Sequence, residues 1–404
     1  MFFSHAHSLP ALILRSALLR ASRRTRAAPP VPAASFETRP AAAPQDEAVR
    51  DRRALVLGIA AVAALGLLSP ALAQTAPKFA IDASWPKDLP KDWITGRLGG
   101  VCMDAAQDNV YVVNRADITD EEKETSISAP SIIKFNAAGD VVASWGDQTT
   151  VPGSIHGCFV DLSGNVWVAG NSDGIIQKYG PDGKLAMQIG TRGKFDSVDG
   201  TRRARGLNAA RDQFHMPAGV VIDPTNGDVY VGDGYGNRRV AVFDKDGKFL
   251  RQWGQQATDE ETQKAAPGVF AQVVHCIDMS RAGLIYVCDR QGNRVQVFQK
   301  DGTFVRNILI PNKSGKLPDK RGTAWWVAFS PDREQKFMYV MNGGTEQVHI
   351  LDHASGNILS SFGRPGHQIG NFTHGHTIAV DSQGSIYVAE TDWGRRIQKF
   401  KIVE

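Results

Sequence analysis

Val220-Val221-Ile222-Asp223, Asp228-Val229-Tyr230-Val231-Gly232-Asp233, Arg239-Val240-Ala241-Val242-Phe243 and Lys248-Phe249-Leu250-Arg251-Gln252-Trp253-Gly254 follow one another within a single stretch, and that stretch decides the fold. Each run is short, apolar and rich in β-branched and aromatic residues, so each reads as a strand. Asp246-Gly247 supplies the positive φ that a tight hairpin needs. The same order recurs as Cys276-Ile277-Asp278, Leu284-Ile285-Tyr286-Val287, Arg294-Val295-Gln296-Val297-Phe298 and Thr303-Phe304-Val305-Arg306, and again from Gly157 to Gly190. Four antiparallel strands per unit is the make-up of a propeller blade.

Units fall at about 98–147, 153–190, 214–254, 270–310, 322–363 and 371–404. The sixth ends before a fourth strand. The missing strand is supplied by Phe79-Ala80-Ile81-Asp82-Ala83-Ser84-Trp85, which resembles the outer strand Phe249–Trp253. The expected fold is therefore an all-β, six-bladed β-propeller of NHL-type repeats over 74–404. An N-terminal strand completes the last blade, and this closure removes the sheet edges that template aggregation.

Upstream, residues 1–50 are rich in Ala, Arg and Pro without hydrophobic period. They read as disordered, or as lying before the true start near Val49. Residues 51–73 join a basic flank, the apolar run Ala54–Leu68 and the site Ala71-Leu72-Ala73, which is the pattern of a secretory signal cleaved after Ala73. The run is short for a stable membrane anchor. The expected location is periplasmic or secreted. The formal charge of +4 owes much to arginines before the cleavage site, so the propeller carries no case for nucleic acid. Cys102, Cys158, Cys276 and Cys288 form no Cys-x-x-Cys pair, which argues against thiolate zinc and thioredoxin chemistry. Cys276 and Cys288 fall opposite each other on adjacent strands, either bridged or as two buried thiols.

Aligning the first strand of each unit puts Gly99, His156, Ala218, His275, Trp325 and His376 at one repeat position. First strands line the central channel, so histidines on alternate blades stand about 120° apart and point at one axis. Three imidazoles with an open fourth position is how catalytic zinc is held. A lone histidine would instead read as channel filling. His215, His349, His353 and His367 lie outside the register, and His374 is ambiguous. Arg115, Tyr235 and Arg290 fall on loops at the same mouth. There an arginine can grip a carboxylate through paired hydrogen bonds, and a tyrosine can move a proton. The connection 191–213 carries Arg192, Lys194, Arg202, Arg203, Arg205 and Arg211, either as a basic lid for an anionic ligand or as a solvated loop.

Over roughly 95–404 the chain resembles peptidyl-α-hydroxyglycine α-amidating lyase and its bacterial NHL-repeat relatives. The resemblance rests on Phe214-His215-Met216-Pro217 through Asp233-Gly234-Tyr235-Gly236-Asn237-Arg238-Arg239 to Gln252-Trp253-Gly254, and on His275 with Asp289-Arg290. It implies zinc on His156, His275 and His376, a catalytic tyrosine at Tyr235, and substrate arginines at Arg115 and Arg290. In the family an aspartate follows the third zinc histidine and helps bind calcium. Thr377 stands there and offers no carboxylate, which counts against calcium. The family's cysteine after the tyrosine is Gly236 here, so that disulfide is missing. No hydroxylase domain accompanies the propeller, so another protein would supply the hydroxylated peptide.

Three functions compete. A zinc lyase would cleave a peptidyl-α-hydroxyglycine to an amide and glyoxylate. A non-catalytic binding module would present loops to a protein partner or ligand, as fold alone permits. A metal-dependent hydrolase of the gluconolactonase kind would need carboxylate and amide ligands, which the register lacks. The histidine register favours the enzyme.

Overall fold

Six four-stranded antiparallel sheets follow one another along the chain, each built from four apolar runs and the tight turns between them. The first blade comprises Leu98–Asp104, Asn109–Asn114, Ile132–Phe135 and Val141–Trp145. The inner strands of the others are Ile155–Val160, Pro217–Ile222, Val274–Met279, Trp326–Phe329 and Gly375–Val380. Each inner strand packs against its neighbours, and Gly375–Val380 returns to Leu98–Asp104 to complete the circle. The computed structural model describes residues 75–403 apart from 105 and 107. The segment 1–50, the export signal 51–73 and its cleavage point lie outside the described residues.

Burial explains the residue types. In the third blade, Pro217–Ile222, Val229–Asp233 and Arg239–Phe243 are buried throughout, because sheets face them on both sides. The outer strand Phe249–Trp253 alternates half-buried with exposed, so it carries Arg251 and Gln252 between apolar residues.

The ring closes as the sequence implies. Lys78–Ile81 pairs antiparallel with Ile397–Val403, Phe79 opposite Ile402 and Ile81 opposite Phe400. The paired strand is shorter than the expected 79–85: it stops at Ile81, and Trp85 leaves the ladder. Trp85 nonetheless wedges between Tyr387 (4.8 Å) of the sixth blade and Phe135 (5.5 Å) of the first. Trp253 does the same between Tyr230 (6.3 Å) and Phe298 (5.6 Å) of successive blades, and Trp145 between Tyr111 and Tyr179. The outer-strand tryptophan is an inter-blade wedge, and its packing survives the loss of strand pairing.

All four cysteines are bridged. Cys276 and Cys288 pair directly across one hairpin, which decides for the bridge over two thiols. Cys102–Cys158 ties the inner strands of the first two blades and was not anticipated. Among the described residues two short helices, Asp120–Lys123 and Asp259–Gln263, sit in connections. Thr119 and Thr258 start them through capping boxes with Glu122 and Glu261. Among the described residues no helix is long and apolar enough to cross a membrane.

Candidate metal centre

The three histidines of the repeat register converge. His156 and His275 ring centres lie 4.8 Å apart, His156 and His376 4.6 Å, and His275 and His376 5.1 Å. One ligand nitrogen from each lies within 4.8 Å of the other two. All three residues are buried. Their inner strands bulge at this point: pairing with the second strand skips from Ile155 to Cys158, from Val274 to Cys276 and from Gly375 to Thr377. The bulge frees the histidine from the ladder and turns it toward the axis.

Backbone carbonyls set two of the tautomers. His156 Nδ1 donates to Ala218 O at 2.8 Å, and His275 Nδ1 donates to Trp325 O at 2.7 Å. In both cases the acceptor is the equivalent register position of the next blade. The Nε2 lone pairs are left facing the channel, the outer-sphere arrangement usual for metal-bound imidazole. His275 Nε2 and His376 Nδ1 are buried without a partner. Burial pushes all three imidazoles well below their usual pKa. The Arg115 charge adds to this at His156, and His156 adds to it at His275 and His376. Neutral ligands, orphaned buried nitrogens and a nitrogen-only donor set fit zinc. Among the described residues this is the group able to hold a metal, and it contains no carboxylate.

The predicted second set gathers on the same centre. The Tyr235 hydroxyl donates to His156 Nε2 at 3.1 Å, and an Arg290 guanidinium nitrogen donates to the Tyr235 oxygen at 3.2 Å. Arg290 lies between two rings, 5.4 Å from the centre of Tyr235 and 5.0 Å from that of Trp325, with its Nε unpaired. Arg115 is half-buried beside the site, its Nε donating to Ile155 O at 3.2 Å. Burial holds its pKa below the usual range. Trp325, which the sequence reading passed over, carries the His275 acceptor carbonyl and the stacking face for Arg290. Its signal was present: it occupies the histidine register position in the fifth blade.

The histidines outside the register serve structure. His353 bonds Tyr286 and Gln335 O, and His349 bonds Asn342 and Ser361. His367 contributes a backbone carbonyl to Arg396. His374 stands outside the three-histidine group: its ring sits 5.2 Å from Trp325, and its Nδ1 approaches Asp392 to 3.0 Å. His215 accounts for Gly236, because a Cβ there would fall 2.2 Å from the His215 ring. A cysteine at that position has no room. The Thr377 hydroxyl accepts from Val101 N at 2.9 Å, joining the last blade to the first.

A family profile described as NHL repeat matches residues 214–243. The chain is 27% identical to NHL repeat-containing protein 3 of Mus musculus over 334 residues, covering 80% of this chain and 84% of that protein. It is 29% identical to peptidyl-alpha-hydroxyglycine alpha-amidating lyase 1 of Drosophila melanogaster over 287 residues, covering 65% of this chain and 47% of that one. The match to peptidyl-glycine alpha-amidating monooxygenase B of Xenopus laevis covers 25% of that protein. The chain thus spans about half of the Drosophila lyase and a quarter of the Xenopus monooxygenase. Among solved structures, a streptogramin B lyase superimposes with a TM-score of 0.49 at 12% identity, over 80% of this chain and 98% of that one. The chain is therefore a six-bladed propeller with an NHL repeat over residues 214–243, and its homologues at modest identity include both amidating lyases and NHL repeat-containing proteins.

Proposed function

We propose that this propeller is a zinc-dependent lyase that splits the C–N bond of a peptidyl-α-hydroxyglycine or close analogue into an amide and glyoxylate. One observation carries the reading: three neutral imidazoles converge on the axis, and Tyr235, held by Arg290, is bonded to one of them. His156, His275 and His376 would hold the ion, which when bound supplies Lewis acidity that lowers the pKa of a coordinated hydroxyl. His156 Nε2 has one lone pair. When that pair serves a metal, the Tyr235 proton is free to move.

Arg115 and Arg290 bring two positive charges to the mouth, suited to a terminal carboxylate. Tyr235 stands between them and the imidazoles. It relays the proton lost by the substrate hydroxyl to the nitrogen that departs as amide, so the proton count balances. The name of the Drosophila relative supports this substrate class. The two disulfides support export to an oxidising compartment.

A second reading, a non-catalytic binding module, rests on the fold alone, which the longer match to NHL repeat-containing protein 3 shares without naming an activity. Zinc-loaded protein incubated with α-hydroxyhippurate decides between them. The lyase reading expects glyoxylate and benzamide in equal amounts, abolished by a chelator and restored by zinc. A metal-loaded protein that releases neither overturns the lyase reading.

A further inference from the structure

A cavity of about 790 Å³ opens beside Tyr235. Its walls include Arg202, Arg203, Arg205 and Arg238, and among the described residues no carboxylate lines it. Arg202, Arg203 and Arg205 are exposed, and among the described residues their side chains make no hydrogen bond or ion pair. Other arginines of the same region are satisfied. Arg192 pairs with Asp173, and Arg239 is buried between Asp196 and Asp233. Arg238 is buried too, but it donates to the carbonyls of Ala271, Gly234, Tyr235 and Asn237. It adds a charge that, among the described residues, no carboxylate contacts, although Asp289 and Asp233 act on it from further away.

The segment carrying the three free arginines is anchored. Val198 N donates to Arg205 O at 3.0 Å, and His215 Nε2 donates to Arg202 O at 2.9 Å. Asn208 accepts from Arg238 N at 2.8 Å, and Asn208 N donates to Asn237 Oδ1 at 3.1 Å. The loop is thereby pinned to the turn Asp233–Arg238 that presents Tyr235. Like charges held together in one short segment repel one another, and no carboxylate in the wall relieves them.

We infer that this cavity receives the acyl side of the substrate and selects peptides carrying carboxylate side chains upstream of the reacting C-terminus. Tyr235 belongs to both the metal centre and the cavity, so a chain gripped at its end by Arg115 and Arg290 continues into the arginine cluster. The inference rests on the lyase reading only for which end of the peptide meets the metal.

The test uses zinc-loaded protein and two glycine-terminated peptides that bind without turning over, acetyl-Glu-Glu-Phe-Gly and acetyl-Gln-Gln-Phe-Gly, titrated by calorimetry. The acidic peptide should bind about tenfold tighter, the discrimination several exposed charge pairs supply together. Salt at about 0.5 M should remove most of that preference. Combined Arg202→Ala, Arg203→Ala and Arg205→Ala should bring the two peptides within about twofold and leave the neutral one unchanged. If that variant misfolds by circular dichroism, Arg203→Glu alone should reduce the preference. Equal binding of the two peptides to the unmodified protein, or an unchanged preference in the folded variants, overturns the inference. Glyoxylate release from α-hydroxyhippurate, which has no acidic acyl group, is followed in parallel. Release without peptide preference rejects the charge selection alone, and preference without release rejects the lyase alone.

Discussion

The Tyr235 hydroxyl lies 3.1 Å from His156 Nε2, on a nitrogen whose ring partner already donates to Ala218 O. Tyr235 sits on the third-blade turn and His156 on the inner strand of the second, so the contact joins a loop residue to a predicted metal ligand. Tyr235→Phe should leave the zinc content at one per chain and lower turnover by roughly 10²–10⁴, the usual range for a lost proton-transfer group. Metal analysis and glyoxylate assay on the same preparation check both halves.

Metal removal should weaken the fold. An ion bound only by the native state stabilises it by about 2.7 kcal/mol at a hundred times its Kd. Chelation should therefore lower the melting temperature of the unmodified protein and leave that of His275→Ala nearly unchanged. His353→Gln should keep the full chelator effect, because His353 bonds Tyr286 and Gln335 away from the axis.

The disulfides give a count. Unfolded but unreduced protein should show no titratable thiol, and four after reduction. Replacing Cys102 and Cys158 by Ser should cost about 2–4 kcal/mol in urea unfolding, since that bridge closes a long loop and joins two blades.

Acid should destabilise the metal-free protein in a defined window. Burial pushes His349 from its ordinary 6.5 down to about 4. The unfolded chain takes up this proton first, so the stabilising contribution is full above pH 6.5 and is lost as pH falls toward 4. Over that interval the loss is about 1.4 kcal/mol per pH unit for one proton. His349→Gln should flatten the urea-denaturation pH profile by close to one proton between pH 4 and 6.5.

Much of this was legible because a propeller repeats. His156, His275 and His376 stand at the same interval before the second-strand aromatics Trp167, Tyr286 and Tyr387, and circular symmetry turned that shared position into convergence. The closing strand was legible from its apolar pattern around Phe79. Its length was not, since Trp85 keeps its wedge between Tyr387 and Phe135 after the ladder has ended. Cys102–Cys158 was hidden for a different reason. It joins neighbouring blades, and the offset between adjacent inner strands is set by their packing, which the repeat does not encode. Arg290 between Tyr235 and Trp325 likewise brings together three loop conformations that no spacing fixes.

The central claim is that His156, His275 and His376 share one zinc ion. A crystal structure of zinc-loaded protein with anomalous data at the zinc edge tests it most directly. The account predicts a single peak on the propeller axis, bonded to one nitrogen of each imidazole at roughly 2.0–2.1 Å, with a fourth position open beside Tyr235. No peak at the three imidazoles, or a peak held by other residues, would contradict it.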